Sequence, residues 1–170
     1  PDKPGVAAKI FGALDEKVPD GVDPATRLPV VSLYGEKRRP DANDLDGLDA
    51  VVVDLQDAGV RFYTYLTTMG YVLEECAKAK VAVVVLDRPD PIGGGVVEGP
   101  PADPERLSFT AVHTLPVRTG MTIGEVARML VEERIGDAAL TVVAMKGWRR
   151  SLWYDETGLP WVNPSPNLRS

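Results

Sequence analysis

The stretch Val51-Val52-Val53-Asp54-Leu55-Gln56-Asp57-Ala58-Gly59-Val60-Arg61-Phe62-Tyr63-Thr64-Tyr65 decides the fold. Three valines run into Asp54, Gln56, Asp57 and Arg61, and aromatic residues then lead into a helical pattern. Buried parallel strands read as continuous apolar runs, because helices cover both faces of the sheet. Ligands of open α/β sheets bind just beyond the carboxyl ends of such strands. The polar residues after Val53 therefore read as groups delivered to a cleft. Val81-Ala-Val-Val-Val-Leu-Asp-Arg-Pro-Asp-Pro91 repeats the arrangement and again ends in Asp and Arg.

Working outward, Leu28–Tyr34, Ala50–Gln56, Val81–Leu86 and Leu140–Met145 read as strands. Tyr63–Lys80 reads as a helix, with Leu66, Met69, Val72, Leu73, Cys76 and Ala77 on one stripe and basic residues in its last turn. Thr122-Ile-Gly-Glu125 has the spacing of a capping box, which opens a helix running to about Arg134. Asp41–Leu48 is expected to hold one short helix. Residues 1–27 form an irregular segment with one helical turn around Val6–Phe11. An α/β domain covers 28–150, and a loop-rich connection follows over 151–170. Strands alternating with helices at these spacings imply a layered α/β domain with parallel pairing.

At 170 residues the chain fits one domain with room for a core. Its 44% hydrophobic and 26% charged residues are ordinary for a globular protein. The net charge of −6 argues against nucleic acid as a partner, and Lys37-Arg38-Arg39 is too small a cluster to reverse that. No apolar run approaches the ~18 residues of a membrane span. One Cys and one His preclude an internal disulfide and a Cys/His zinc site. Cys76 falls on the apolar stripe of its helix, and His113 has no nucleophile or second ligand beside it in sequence. The sequence opens at Pro1 and ends amid loop chemistry, so it is expected to be a piece of a longer chain.

Three chemistries fit the inventory unequally. Gly93-Gly94-Gly95 follows a strand but opens no helix, so it lacks the context of a dinucleotide fingerprint. Asp54 and Asp57 could hold Mg²⁺ for a phosphohydrolase, but a spacing of three turns them to opposite faces of a strand. Glycoside hydrolysis needs two carboxyl groups, with polar groups and aromatic surfaces to orient the sugar. Glu16, Glu36, Asp54, Asp57, Asp87 and Glu98 supply the carboxyl groups. Gln56, Arg61, Arg88, Tyr34, Tyr63, Tyr65, Trp148, Trp153 and Trp161 supply the rest. The same aspartates also suit loop capping, and the arginines suit structural pairing with them.

Several runs are similar, in order and spacing, to a known family: Leu28-Pro-Val-Val-Ser-Leu-Tyr-Gly-Glu36, Asp54–Tyr65, Leu86-Asp-Arg-Pro-Asp-Pro91, Val97-Glu-Gly-Pro100, Pro116-Val-Arg-Thr-Gly-Met121, Met145-Lys-Gly-Trp-Arg-Arg150 and Leu159-Pro-Trp-Val-Asn-Pro-Ser-Pro-Asn167. They resemble the bacterial domain of unknown function now associated with exo-β-N-acetylmuramidases of the NamZ type, from about Gly12 to Asn167. The resemblance implies a Rossmann-like three-layer α/β domain with a mostly parallel sheet. It also implies a second, smaller domain, missing from this sequence, that completes the cleft. Implied too are release of N-acetylmuramic acid from the non-reducing ends of peptidoglycan fragments, export to the periplasm or exterior, and no nucleotide or metal cofactor. Family members carry a Glu-His-Gly motif where this chain has Ala7-Ala8-Lys9, so one expected cleft glutamate is absent.

Carried onto this sequence, the resemblance implies Glu98, Asp57 and Asp54 as catalytic carboxyl groups. Gln56, Arg61, Tyr63, Asp87, Arg88 and Asn167 would contact the sugar. Burial would raise the pKa of one carboxyl group for proton donation, while a neighbouring arginine keeps another ionised. A cell-wall sugar-binding module without catalysis is the alternative class.

Overall fold

The structure, a computed structural model, describes residues 10–12, 20–33 and 36–163. Two small sheets organise them. Strand β1 (Ile10–Gly12) pairs in parallel with β3 (Pro29–Ser32), whose other edge takes β2 (Gly21–Val22) antiparallel. The second sheet has β4 (Ala50–Val53), β5 (Ala82–Leu86) and β6 (Leu140–Val143) in that order, all parallel. Helix α1 (Ala42–Leu45) precedes β4, α2 (Thr64–Ala79) joins β4 to β5, and α3 (Ile123–Leu130) precedes β6. The parallel α/β reading from the Val51 and Val81 runs therefore holds.

The apolar stripe of α2 is its buried face: Leu66, Met69, Leu73 and Cys76 have no exposed surface. Lys80 ends the helix in the left-handed region (φ 57°) and returns its N–H to carbonyls of the last turn. Thr122 caps α3 through the expected box, its hydroxyl accepting from Glu125 N and the Glu125 carboxylate accepting from Thr122 N. A π-helical turn, Val131–Ile135, then carries the chain to Gly136. Ile123, Val126, Ala127 and Leu130 join the α2 stripe, Val51, Val53, Val83 and Val85 in one cluster. Both helices thus lie on the same face of the parallel sheet. Cys76 sits inside this cluster, where burial pushes its thiol up to about 11, as suits a packing residue.

One sequence expectation differs from the described residues. The helical turn placed at Val6–Phe11 gives way, from Ile10 onward, to strand β1, which is too short to carry a detectable period; Val6–Lys9 lie outside the described residues. On the opposite face of the parallel sheet Val84 and Leu86 are half-buried, while Val52 is 59% and Val143 49% exposed.

Behind the strand ends, the loops after β4 and β5 are locked together. Gly59 adopts φ +76°, and a side chain there would meet Asp90 Oδ1 at 2.3 Å and Ile92 Cγ1 at 2.7 Å. Asp57 Oδ2 accepts from Gly59 N at 2.9 Å, and Asp90 Oδ1 accepts from Ile92 N at 3.1 Å. Asp57 is 3% and Asp90 2% exposed. Loss of solvent, and secondarily the nearby Asp90, pushes the Asp57 carboxyl up to about 7; burial raises Asp90 as well.

A carboxyl group that titrates near 7 when folded but near 3.8 when unfolded keeps its proton longer in the native state. Stability should therefore fall as pH rises from about 4 to about 7 and level off above that, by at most about 1.4 kcal/mol per pH unit for one group. Urea midpoints at pH 4.5, 6 and 8 should show Asp57→Asn gaining on the parent as pH rises. A constant difference between the two proteins would contradict the assignment. Gly59→Ala should cost about 2 kcal/mol or more through its strained φ and the clash with Asp90.

Candidate active site

The carboxyl ends of β4, β5 and β6 open into one cleft, as parallel-sheet geometry requires. Its larger part has a volume of about 660 Å³, with Asp54 and the Asp87–Arg88 pair at its floor and the chain from Met145 to Leu159 as its wall. A smaller recess of about 360 Å³ adjoins it, lined by Gln56, Tyr65, Tyr154 and Asn163. Asp54 and Arg88 border both parts.

Those two residues form the ion pair at the centre of the cleft. Arg88 Nε and Nη2 each lie 2.6 Å from Asp54 Oδ1. The Asp54 side chain is 47% and that of Arg88 38% exposed, so solvent and ligand can reach both. The bond to Asp54 is the main reason the Arg88 guanidinium is held more firmly protonated than usual. Beside them Asp87 is fully engaged. Its Oδ2 accepts from Thr122 Oγ1 at 3.0 Å, and its Oδ1 accepts from Gly124 N at 2.8 Å and from Arg88 N at 3.1 Å. A Cβ on Gly124 would lie 2.8 Å from that carboxylate, so glycine lets the start of α3 close onto it.

The other sequence candidates fall into different surroundings. Gln56 donates from Nε2 to the carbonyls of Asp57 (2.9 Å) and Pro89 (3.0 Å), tying the two strand-end loops while it lines the smaller recess. Asp57 lies in the buried frame and lines neither part of the cleft. Arg61 donates to the Pro100 carbonyl at 2.6 Å and the Leu115 carbonyl at 2.8 Å, bridging two loops. Tyr63 is buried edge-on to Tyr65, with ring centroids 4.7 Å apart. Glu98 is exposed and accepts from Arg118 Nη1 at 2.8 Å, outside the lining of both parts. Asn167, Glu16 and Tyr34 lie outside the described residues. The structure thus brings together Asp54, Gln56, Asp87 and Arg88, and sets Asp57, Arg61, Tyr63 and Glu98 apart from them.

Trp148, named from the sequence as an aromatic surface, lines the wall together with Lys146, Arg149, Leu152, Glu156 and Leu159, which the sequence reading did not assign. The rule that nominated Asp54 and Asp87 applies equally to the end of β6, and reaches Lys146 and Arg149. Arg150 holds this wall in place. It donates from Nη1 to the carbonyls of Gly94 and Gly120, each at 3.0 Å, and pairs with Glu125 through Nη2. Gly94 N returns a bond to the Arg150 carbonyl at 2.9 Å, so the triple-glycine run is a packing junction. Among the described residues no group of three or more His, Cys, Asp or Glu side chains could hold a metal ion.

Comparison with known proteins bears on the whole chain. The sequence model of the family described as exo-β-N-acetylmuramidase NamZ, N-terminal, matches residues 9–170. The peptidoglycan β-N-acetylmuramidase NamZ of Bacillus subtilis (strain 168) is 44% identical over 153 residues, which are 90% of this chain and 37% of that protein. A crystal structure of a DUF1343 family protein from Bacteroides fragilis superposes with a TM-score of 0.83 at 43% identity, over 85% of this chain and 38% of that one. A second from the same organism gives 0.71 at 33% identity, over 78% and 37%. The chain therefore spans well under half the length of these relatives. With nearly every residue inside the match, the chain belongs to the NamZ N-terminal family.

Proposed function

We propose that this chain is the cleft-bearing part of a glycoside hydrolase, an exo-β-N-acetylmuramidase that removes N-acetylmuramic acid from the non-reducing ends of peptidoglycan fragments. The observation that carries the reading is the 44% identity to a peptidoglycan β-N-acetylmuramidase over nine-tenths of the chain. The chemistry of the cleft agrees with it. A sugar has polar edges and apolar faces; here Asp54, Arg88 and Gln56 offer hydrogen bonds, while Trp148, Leu152 and Leu159 offer apolar surface. The substrate lies outside the cytoplasmic membrane, so the reading includes export. It also takes the cleft as one side of a site that a further domain completes. The greater length of the relatives and the exposed Val97, Leu159 and Val162 support that part.

In this reading Asp54 faces the scissile bond and Arg88 orients it. Asp87 acts one step back, fixing Arg88 and the start of α3. Glu156, whose carboxylate accepts from Trp153 N at 2.8 Å, is the other carboxyl group on the described walls beside Asp54 and Asp87. Glycosidases work with a carboxyl pair, and the separation within that pair sets the stereochemical outcome.

One observation favours a second reading. With Asp57 buried and Asp87 committed to α3, solvent-facing acids in the cleft are few, which also suits a module that binds cell-wall sugar without cutting it. Hydrolysis separates the two. Carried in a protein of its relatives' full length, the chain should release 4-nitrophenol from the chromogenic N-acetylmuramide. Asp54→Asn should lower kcat about 100-fold or more, as loss of a carboxyl group acting on the reacting bond does. Calorimetric binding of N-acetylmuramic acid without any release would establish the second reading; neither binding nor release would end both.

Asp87→Ala should act differently, removing three hydrogen bonds and the charge at the start of α3. A loss of about 2 kcal/mol in stability is expected. Denaturant titration measures it, and an unchanged midpoint would show that the carboxylate is not the anchor described here.

A further inference from the structure

The charges around the cleft are unevenly satisfied. Arg88 is paired with Asp54, Arg118 with Glu98, and Arg150 with Glu125. Lys146 and Arg149 also line the larger part of the cleft, yet neither side chain has a hydrogen-bond or ion-pair partner among the described residues. Both are exposed, on the turn that follows β6. Gly147, at φ +78° and with open space around it, bends the chain between them, and Trp148 lies in the same lining. Two uncompensated cations beside an indole, in a protein of net charge −6, form a local site for an anionic group on an otherwise neutral, ring-shaped ligand.

We propose that Lys146 and Arg149 recognise the carboxylate of the lactyl ether that distinguishes N-acetylmuramic acid from N-acetylglucosamine, and so set the sugar specificity of the cleft. This rests on the muramidase reading above. The two sugars share a ring, an acetamido group and most hydroxyls, so contacts made through Asp54, Arg88 and Gln56 would serve either one. The lactyl carboxylate is the added charge, and a guanidinium binds carboxylate with directed, charge-assisted hydrogen bonds. Because the pair is solvent-exposed, its contribution is modest and sensitive to salt.

The test is calorimetric titration with three ligands: N-acetylmuramic acid, its methyl ester and N-acetylglucosamine. The acid should bind about tenfold tighter than the other two at low salt, the scale of two exposed ion pairs. That preference should shrink at 0.5 M salt. Lys146→Gln combined with Arg149→Gln should bring the three affinities together without shifting the melting temperature, since both side chains project from an exposed turn. Equal binding of acid and ester by the parent protein would overturn the proposal, whatever the variant does. So would a preference that survives the double substitution. In either case measurable binding of the sugars leaves the muramidase reading standing; no binding of any of the three overturns this proposal alone, and only when release of 4-nitrophenol is absent too does the muramidase reading fall with it.

Discussion

The carboxylate of Asp87 is the joint on which the rest of the site depends. The first turn of a helix leaves backbone N–H groups without partners and carries partial positive charge, so an anion placed there is stabilised twice over. Asp87 sits at the end of the central strand β5 and takes both Thr122 Oγ1 and Gly124 N. That clasp fixes α3, which supplies Ile123, Val126, Ala127 and Leu130 to the core. It continues outward through Glu125, whose carboxylate both closes the capping box and receives Arg150. Arg150 in turn holds Gly94 and Gly120, and with them the wall of the cleft. One carboxylate thus couples a core helix to a surface loop without touching the cleft's opposite side.

A similar economy governs the loops beyond β4 and β5. Asp57 and Asp90 are buried with one oxygen each bonded to a backbone N–H and the other oxygen without a protein partner. Burying ionised carboxylates is expensive, and the cheaper state keeps a proton on the group. Gly59 makes the arrangement possible, since its backbone conformation and the 2.3 Å approach to Asp90 both exclude a side chain. The cost is local, and what it secures is a rigid platform from which Asp54 and Gln56 project.

Much of this was legible in the sequence wherever a period or a cap made it so. The valine runs, the α2 stripe from Leu66 to Cys76 and the Thr122–Glu125 box each carry a local signal, and each element lies where that signal puts it. Asp54 and Arg88 were legible because they follow parallel strands directly. The wall was legible only at its start, where Lys146 follows β6 and Trp148 stands out as an aromatic; the remainder to Leu159 was not, because a loop has no period and its place is set by Arg150, a tertiary contact 30 residues from Gly120 and 56 from Gly94. Nor could the sequence tell Asp54 from Asp57. Three residues apart, one faces the cleft and the other is 3% exposed, and only the turn at Gly59 decides which is which.

That last contrast limits what charge perturbation can say about catalysis in this fold. Asp57 has the raised proton affinity expected of a general acid, but it acquires this by the same burial that keeps a ligand away. Asp54 has the access and the cationic partner, but no apolar enclosure among the described residues. A general acid requires both conditions on one carboxyl group: enclosure enough to hold the proton, and reach to the leaving-group oxygen. In an open cleft those demands conflict, because water that admits the sugar also stabilises the carboxylate. They can be met together only when the bound sugar itself, or another wall, excludes the water. Enclosure in this cleft is therefore a property of the occupied site, and the carboxyl group to watch is the one a ligand can cover, Asp54, rather than the one the fold has already covered.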